Sequence, residues 1–298
     1  MKLIWITDPH FDHLLDPLGA LRFGEWLKKN GGGDAAVLTG DIAESPTLGD
    51  LLDFFAMGFE KPVYFVLGNH DYYRGSFAKT DEVARTLKSK SPTVTWLDEA
   101  GVVELAPDIA LVGNSGWYDV RTGLAENSRL VMSDFLEIEN FRGHDRHTIV
   151  EMSRAIAKQK ADQVRPVLME AASKYKHVYF ATHFPPFREA TWHDGKLSDG
   201  TWAPWFSNLT MGNVLSDAAF DYPDTKFTVL CGHTHGEGVF DFTENMTVLT
   251  GKAKYGNPQI NKVFNLDPTA KKKSRSGPVA PKPEGGVAGI PEVVKKDD

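Results

Sequence analysis

The stretch Thr228-Val-Leu-Cys-Gly-His-Thr-His235 decides how the rest of the chain is interpreted. An apolar run, typical of a buried strand, ends at a glycine, and two histidines then follow with one residue between them. Four other apolar runs end in the same way, each followed by Asp, Asn or His. This repetition predicts several strands that carry polar side chains to one place.

The first 90 residues alternate between apolar runs and segments with helical spacing. The predicted strands are 2–7, 35–39 and 62–67, and the predicted helices are 17–30, 47–59 and 77–89. The strands are continuously apolar, which indicates a sheet covered on both faces.

Residues 116–176 form a mainly helical insert, whose long helix from about 145 to 175 is expected to break before Pro166. The other predicted strands are 93–97, 102–105 and 109–113, which are expected to be antiparallel, then 177–182 and 226–231, and finally 239–242, 247–249 and 260–266, which complete a second sheet. We expect one domain over residues 1–267. The Lys-, Pro-, Gly- and Ser-rich segment 268–298 is expected to be disordered.

The charge of the chain is uneven. The formal net charge is −7; from Thr269 onward there are seven Lys or Arg and four Asp or Glu, so the remainder carries −7 − 3 = −10. Such an acidic body repels a phosphate backbone and argues against a nucleic-acid partner. Bound divalent cations would reverse the sign locally, so a small anionic substrate stays open.

A single cysteine, Cys231, excludes an internal disulfide and fits a reducing compartment. The sequence has no apolar run of the roughly 20 residues that span a bilayer, and its first strand is too short for a signal peptide. We therefore expect a cytoplasmic protein without a membrane partner.

The residues at the strand ends form one set: Asp8, His10, Asp41, Asn69, His70, His183, His233 and His235. Each alone has an ordinary explanation, since such an Asp often caps a helix and a lone His is usually packed or on the surface. Together, however, five of the ten histidines follow apolar strand ends. Open sheets place their sites at the carboxyl ends of their strands, so the set predicts a metal site.

Five blocks of this set resemble the calcineurin-like metallophosphoesterases: Asp8-Pro-His10, Gly40-Asp41, Gly68-Asn-His-Asp71, His183-Phe-Pro-Pro186 and Gly232-His-Thr-His235. They occur in the family's order, and the resemblance spans about residues 2–267. It implies an α/β fold, a four-layer αββα sandwich of two mixed β-sheets flanked by helices.

The resemblance also implies a binuclear metal centre that hydrolyses a phosphate ester with a hydroxide held between two divalent metals. Asp8, His10 and His235 would hold one metal, and Asn69, His183 and His233 the other. Asp41 would bridge both, a task that requires a charged group with two oxygens. Mixed nitrogen and oxygen ligands suit Mn, Fe or Zn.

His70 is expected to be a general acid or electrostatic stabiliser at the leaving oxygen, with Asp71 orienting its ring. The alternative for His70 is a hydrogen bond that closes the turn at 68–71.

Candidate substrate contacts beyond Asn69 and His70 are aromatic and basic residues expected on the rim: Arg74, Tyr72, Trp117, Tyr118, Arg121, and Trp192, His193, Trp202 and Trp205 in a long loop. The alternative for the tryptophan-rich loop is a small satellite core. The insert is either a cap or an interface for a second copy.

The expected substrate is a small phosphodiester or nucleotide-type molecule. Phosphomonoesterase activity on the same site stays open, and a nuclease is disfavoured by the acidic body. The alternative from another functional class is a non-catalytic metal-binding interaction module. Such a module is expected to have lost some metal ligands, whereas all seven expected ligands are present in this sequence. The oligomeric state is left open.

Overall fold

The computed structural model describes residues 1–123 and 130–267. The expectation of disorder for 268–298 lies outside these residues, as does the part of the predicted insert at 124–129.

The elements follow each other in the order expected of an α/β chain. The helices are α1 Gly19–Asn30, α2 Ser45–Phe59, α3 Phe77–Lys90, α4 Asp134–Glu137, α5 Arg146–Lys174, α6 Ala203–Phe206 and α7 Leu209–Asp221. The strands are β1 Lys2–Ile6, β2 Ala35–Thr39, β3 Val63–Val66, β4 Val94–Trp96, β5 Val103–Ala106, β6 Ile109–Gly113, β7 His177–Ala181, β8 Trp192–His193, β9 Lys196–Leu197, β10 Lys226–Cys231, β11 Gly238–Thr243, β12 Met246–Thr250 and β13 Lys262–Asn265.

Two mixed sheets make the centre of the fold. The first has the strand order β13-β1-β2-β3-β4, with β1 to β4 parallel and β13 antiparallel at the edge. The second has the order β11-β12-β10-β7-β6-β5, with antiparallel strands at both edges. Helices flank both sheets, so the predicted sandwich is confirmed.

Three apolar clusters hold these layers together. The inner faces of the sheets bury Trp5, Val37, Tyr179 and Leu230 against each other. On the outside, α1 and α2 pack on the first sheet, and α5 and α7 pack on the second. Strands such as β2 are therefore buried at every residue, which explains their continuous apolar runs.

Polar side chains fix where several helices begin. The side chain of Ser76 accepts a hydrogen bond from the backbone N–H of Lys79, and that of Asp145 accepts one from Thr148. Asn208 does the same for Met211 at the start of α7. Such caps satisfy N–H groups that have no partner within the helix.

Three details differ from the expectations. Residues 260–266 were expected in the second sheet, but β13 pairs with β1 in the first. Strand β4 is parallel to β3, not antiparallel to its successors. Helix α5 continues through Pro166, because this proline lies on the exposed face while Val164 and Leu168 on the other face stay packed in the core.

Helix α5 has 29 residues but carries many charged side chains. Within residues 1–123 and 130–267, no helix is both long and apolar enough to cross a membrane.

Candidate metal centre

The carboxyl ends of five parallel strands converge at one edge of the sandwich. The first sheet delivers Asp8, Asp41 and Asn69 from β1, β2 and β3. The second delivers His183 from β7, and His233 with His235 from β10. Because the sheets face each other, carboxylates of one meet imidazoles of the other.

The backbone at this edge is unusual. Left-handed φ angles occur at Asp8 (47°), His10 (43°), Asp41 (50°), His233 (69°) and His235 (57°). A side chain in this region costs roughly 1–2 kcal/mol, so the turns after the strands are strained. Strain of this kind is concentrated where a side chain must be aimed at a functional site.

One group of potential ligands comprises Asp8, His10, Asp41 and His235, with ligand atoms within 4.8 Å of one another. Nε2 of His10 lies 3.2 Å from Nε2 of His235, and Nε2 of His235 lies 3.4 Å from Oδ1 of Asp8. Nε2 of His10 is 3.9 Å from Oδ2 of Asp41.

A second group comprises Asp41, His183 and His233, with ligand atoms within the same 4.8 Å. Oδ1 of Asn69 joins it, 3.2 Å from Nε2 of His183 and 2.9 Å from Nδ1 of His233. Nε2 of His183 lies 3.4 Å from Oδ1 of Asp41. Asp41 therefore belongs to both groups and directs one oxygen to each.

Backbone carbonyls fix the tautomers of the two histidines in the second group. Nδ1 of His183 contacts the carbonyl oxygen of Thr39 at 2.8 Å, and Nε2 of His233 contacts that of Trp205 at 3.0 Å. A carbonyl can only accept, so each of these nitrogens carries the proton. The other nitrogen of each ring is left as an acceptor that faces the site.

Close backbone approach completes the first group. The N–H of His233 donates to both carboxylate oxygens of Asp8, at 3.0 and 3.2 Å. A Cβ atom at Gly232 would lie 2.1 Å from Oδ2 of Asp8, so only glycine fits here.

Burial governs the charges of these groups. It lowers the pKa of His10 to about 3, and it also lowers the pKa of His183 and His233. Burial and the charge of Asp8 raise the pKa of Asp41. Burial opposes ionisation of Asp8 too, but its hydrogen bond with His235 holds the pKa of this carboxyl below its usual range.

This donor set fits two divalent cations. Neutral imidazoles, carboxylates and an amide oxygen are the ligands that Mn, Fe and Zn accept. Ligand atoms about 2.1 Å from a shared ion lie roughly 3.0–3.4 Å apart, which matches the close contacts of both groups. The seven residues expected to be ligands are thus brought together.

His70 also lies at this edge, with a side chain that is 20% exposed and Nε2 4.0 Å from Oδ2 of Asp41. Its ring stacks on Tyr73 at 4.2 Å between centroids. Burial and the neighbouring imidazoles, first among them His10, lower its pKa well below the ordinary value.

Asp71 does not orient His70 as expected. Its Oδ1 accepts from the N–H groups of Ile42 and Ala43 at 2.8 and 3.0 Å, and its Oδ2 accepts from that of Gly68 at 2.7 Å. Asp71 instead ties the loop after Asp41 to the turn at 68–71. It therefore shapes the backbone that carries Asp41.

The predicted rim is wrong for the residues that the structure buries, which are Tyr72, Trp117, Tyr118, Trp192 and Trp205, whereas His193 and Trp202 are partly exposed and Arg121 is exposed. Trp117 and Tyr118 are 1% and 0% exposed within the apolar core, and Trp192 lies beneath Gly238. Arg74 is exposed but paired with Glu44. The alternative of a core under the tryptophan-rich loop is supported instead.

Besides Tyr73, the sequence analysis missed two residues that contact the site. Tyr255, 46% exposed, lies over the first group with its ring centroid 4.4 Å from that of His10 and 5.0 Å from that of His235. Its loop follows β12, which is parallel to β10, so strand direction was an available signal. The other residue is Asp134, the first residue of α4. The sequence does not single it out, because acidic residues are common in the first turn of a helix.

The model of the family described as calcineurin-like phosphoesterase matches residues 1–237. The structure of a phosphopantetheinyl hydrolase from Mycobacterium tuberculosis is similar, with a TM-score of 0.65, 16% identity, and coverage of 91% of this chain and 98% of that chain. A dimetal phosphatase from Danio rerio has a TM-score of 0.54 at 16% identity, covering 87% of this chain and 89% of that one. Both are likenesses of fold. No curated protein matches the chain.

Proposed function

Since the chain belongs to the calcineurin-like phosphoesterase family and is a binuclear metallophosphoesterase, we propose that it hydrolyses a small phosphodiester or nucleotide-type substrate. The single observation that carries the site assignment is Asp41, whose two oxygens face two separate groups of ligand atoms. Family membership implies two divalent cations; we propose Mn, Fe or Zn.

The proposed ligand sets follow the two groups. Asp8, His10 and His235 would hold one cation, Asn69, His183 and His233 would hold the other, and Asp41 would contribute one oxygen to each. When bound, such a pair of cations activates a water molecule and neutralises charge on the phosphate oxygens. The buried carbonyl contacts of His183 and His233 keep their rings aimed before the cations bind.

His70 is proposed to act on the leaving group. Its ring is held by Tyr73 beside Asp41, and its side chain is 20% exposed, so it is accessible to a bound substrate. From this position the ring can donate a hydrogen bond to the leaving oxygen, or a proton when it is protonated, a form that its lowered pKa restricts to pH values below the ordinary range of histidine. General acid help of this kind contributes typically about 10²–10⁴-fold.

The charge of the chain favours a diester over a monoester, and an exposed aromatic ring favours a nucleotide-type or aryl substituent. Residues before Thr269 carry a formal charge of −7 − 3 = −10, which repels a dianionic monoester more strongly than a monoanionic diester. The exposed ring of Tyr255 offers an aromatic face beside the first group, on which a base or aryl group can stack.

Metal analysis of the purified protein, combined with hydrolysis of nitrophenyl phosphate and bis(nitrophenyl) phosphate in the presence of Mn, tests this proposal. We expect two equivalents of metal per chain and a higher kcat/KM for the diester. A preference for the monoester would replace the proposed substrate with that of a phosphatase. Two equivalents of metal without turnover of either ester would remove the proposed substrate class.

A further inference from the structure

The predicted insert reaches the metal centre through one buried carboxylate. Asp134, at the start of α4, is 0% exposed. Its Oδ1 accepts a hydrogen bond from Nδ2 of Asn69 at 2.8 Å and another from the hydroxyl of Tyr73 at 2.6 Å. These donors are 65 and 61 residues away in the chain.

The first bond determines which end of the Asn69 amide faces the site. A carboxylate oxygen accepts, so the NH₂ group of Asn69 must point to Asp134. The carbonyl oxygen is then directed at His183 and His233, where a cation of the second group would be held. The reversed amide would present two N–H groups there, and these cannot bind a cation.

The second bond reaches His70. Tyr73 donates its hydroxyl to Asp134 while its ring stacks on His70. One oxygen of Asp134 therefore accepts hydrogen bonds from Asn69 and from Tyr73, the residue on which His70 stacks.

Backbone contacts anchor Asp134 to the same segment. The N–H of Arg74 donates to the carbonyl of Glu137 at 2.8 Å, and the N–H of Glu139 donates to that of Gly75 at 2.9 Å. The segment around α4 thus lies against the residues that follow His70, so the position of the carboxylate is determined by more than its own side-chain bonds.

We propose that Asp134 is a positioning residue of the second metal site, and that the insert serves this site by holding Asn69. The inference rests on the proposed ligand sets. Outer partners of metal ligands typically contribute about 10–100-fold to metal affinity.

Metal titration of Asp134→Leu tests the proposal, because leucine has a similar volume and cannot accept a hydrogen bond. We expect one equivalent bound as in the wild type and the second bound about 10–100-fold more weakly. Asp119→Leu is the matched control: Asp119 is also fully buried and accepts hydrogen bonds, but from Thr210 and Arg121. It should bind both equivalents normally.

A double-mutant cycle separates positioning from a general effect on structure. If Asp134 acts through Asn69, Asn69→Ala and the double variant Asn69→Ala/Asp134→Leu should bind the second metal with the same affinity. Additive losses would overturn the proposal. If Asp134→Leu does not fold, the same cycle with Asp134→Asn decides, because loss of the charge should weaken second-metal binding only while Asn69 is present.

The outcomes also distinguish this inference from the proposed function. Wild-type protein without metal would overturn the ligand sets themselves. Wild-type protein with two equivalents, together with Asp134→Leu that binds both at unchanged affinity, would overturn only the role of Asp134.

Discussion

Nδ1 of His183 donates to the carbonyl oxygen of Thr39 at 2.8 Å. This bond crosses from the second sheet to the first, since His183 follows β7 and Thr39 ends β2. It fixes the tautomer of a proposed ligand by the packing of the two sheets. The geometry of the site therefore depends on the packing of the two sheets, because a change in how the sheets face each other would also reorient this imidazole.

Replacement of Asp41 tests the shared carboxylate. Asp41→Asn keeps the shape but removes the charge, so we expect loss of at least one metal equivalent and a fall in kcat/KM of more than about 100-fold. Metal content per chain and diester hydrolysis are the measurements. Asp119→Asn, which changes a buried carboxylate away from the ligand groups, should keep both metals; unchanged metal content in Asp41→Asn would contradict the bridging role.

His70→Ala tests the role at the leaving group. The variant should retain both metals, yet lose activity about 10²–10⁴-fold, and more for alkyl than for nitrophenyl leaving groups, because good leaving groups need little protonation. Leaving-group dependence of kcat/KM measures this.

His70→Gln distinguishes a proton donor from a hydrogen-bond donor. Glutamine can donate a hydrogen bond but cannot transfer a proton at neutral pH. Partial rescue relative to alanine would indicate electrostatic stabilisation, whereas equal losses for alkyl and nitrophenyl esters would argue against the acid role.

Tyr255 is expected to contact the substrate. Tyr255→Ala should raise KM for nitrophenyl esters about 2–10-fold, the value of an aromatic contact of about 0.5–1.5 kcal/mol, while Tyr255→Phe stays near the wild type. Trp26→Ala is a control with a similarly exposed ring, 49% against 46%, on α1. Equal effects of Tyr255→Ala and Trp26→Ala on KM would remove Tyr255 from the substrate site.

His177 should make stability depend on pH away from the metal centre. Burial, followed by the charge of Lys226, lowers its pKa to about 3, and its Nε2 contacts the hydroxyl of Thr228 at 2.9 Å. The unfolded chain therefore binds the extra proton first, so stability falls as the pH drops from about 6.5 towards 3. Urea unfolding of His177→Gln should show a shallower decline over that range. At pH 8, where both states have a neutral imidazole, the slope with pH should be the same in both proteins; equal slopes at pH 4–6 would contradict the prediction.

The sequence predicted the parts of the fold that depend on local pattern. Strand β10 has the predicted ends because an apolar run stops at Gly232. The proposed ligand set could also be predicted from the sequence, since each member follows an apolar run. The partner of β13 was not, because the same alternation of side chains suits either sheet, and only the three-dimensional course of the chain brings it beside β1.

The sequence pattern also did not predict where several aromatic side chains lie. Trp117 and Tyr118 follow β6, as a site residue would, yet both side chains turn into the core. Asp134 was missed because its partner Asn69 is distant in the sequence, and no motif near residue 134 predicts the contact.

The left-handed turns at Asp8, His10, Asp41, His233 and His235 have an evolutionary consequence. Glycine would adopt these angles at little cost, so each of these side chains, all proposed ligands, lowers the stability of the fold. A descendant freed from catalysis would gain by drifting to glycine there, and stability-guided engineering would be drawn to the same five positions. Glycine at these turns is therefore a signature by which an inactive paralogue could be recognised from its sequence.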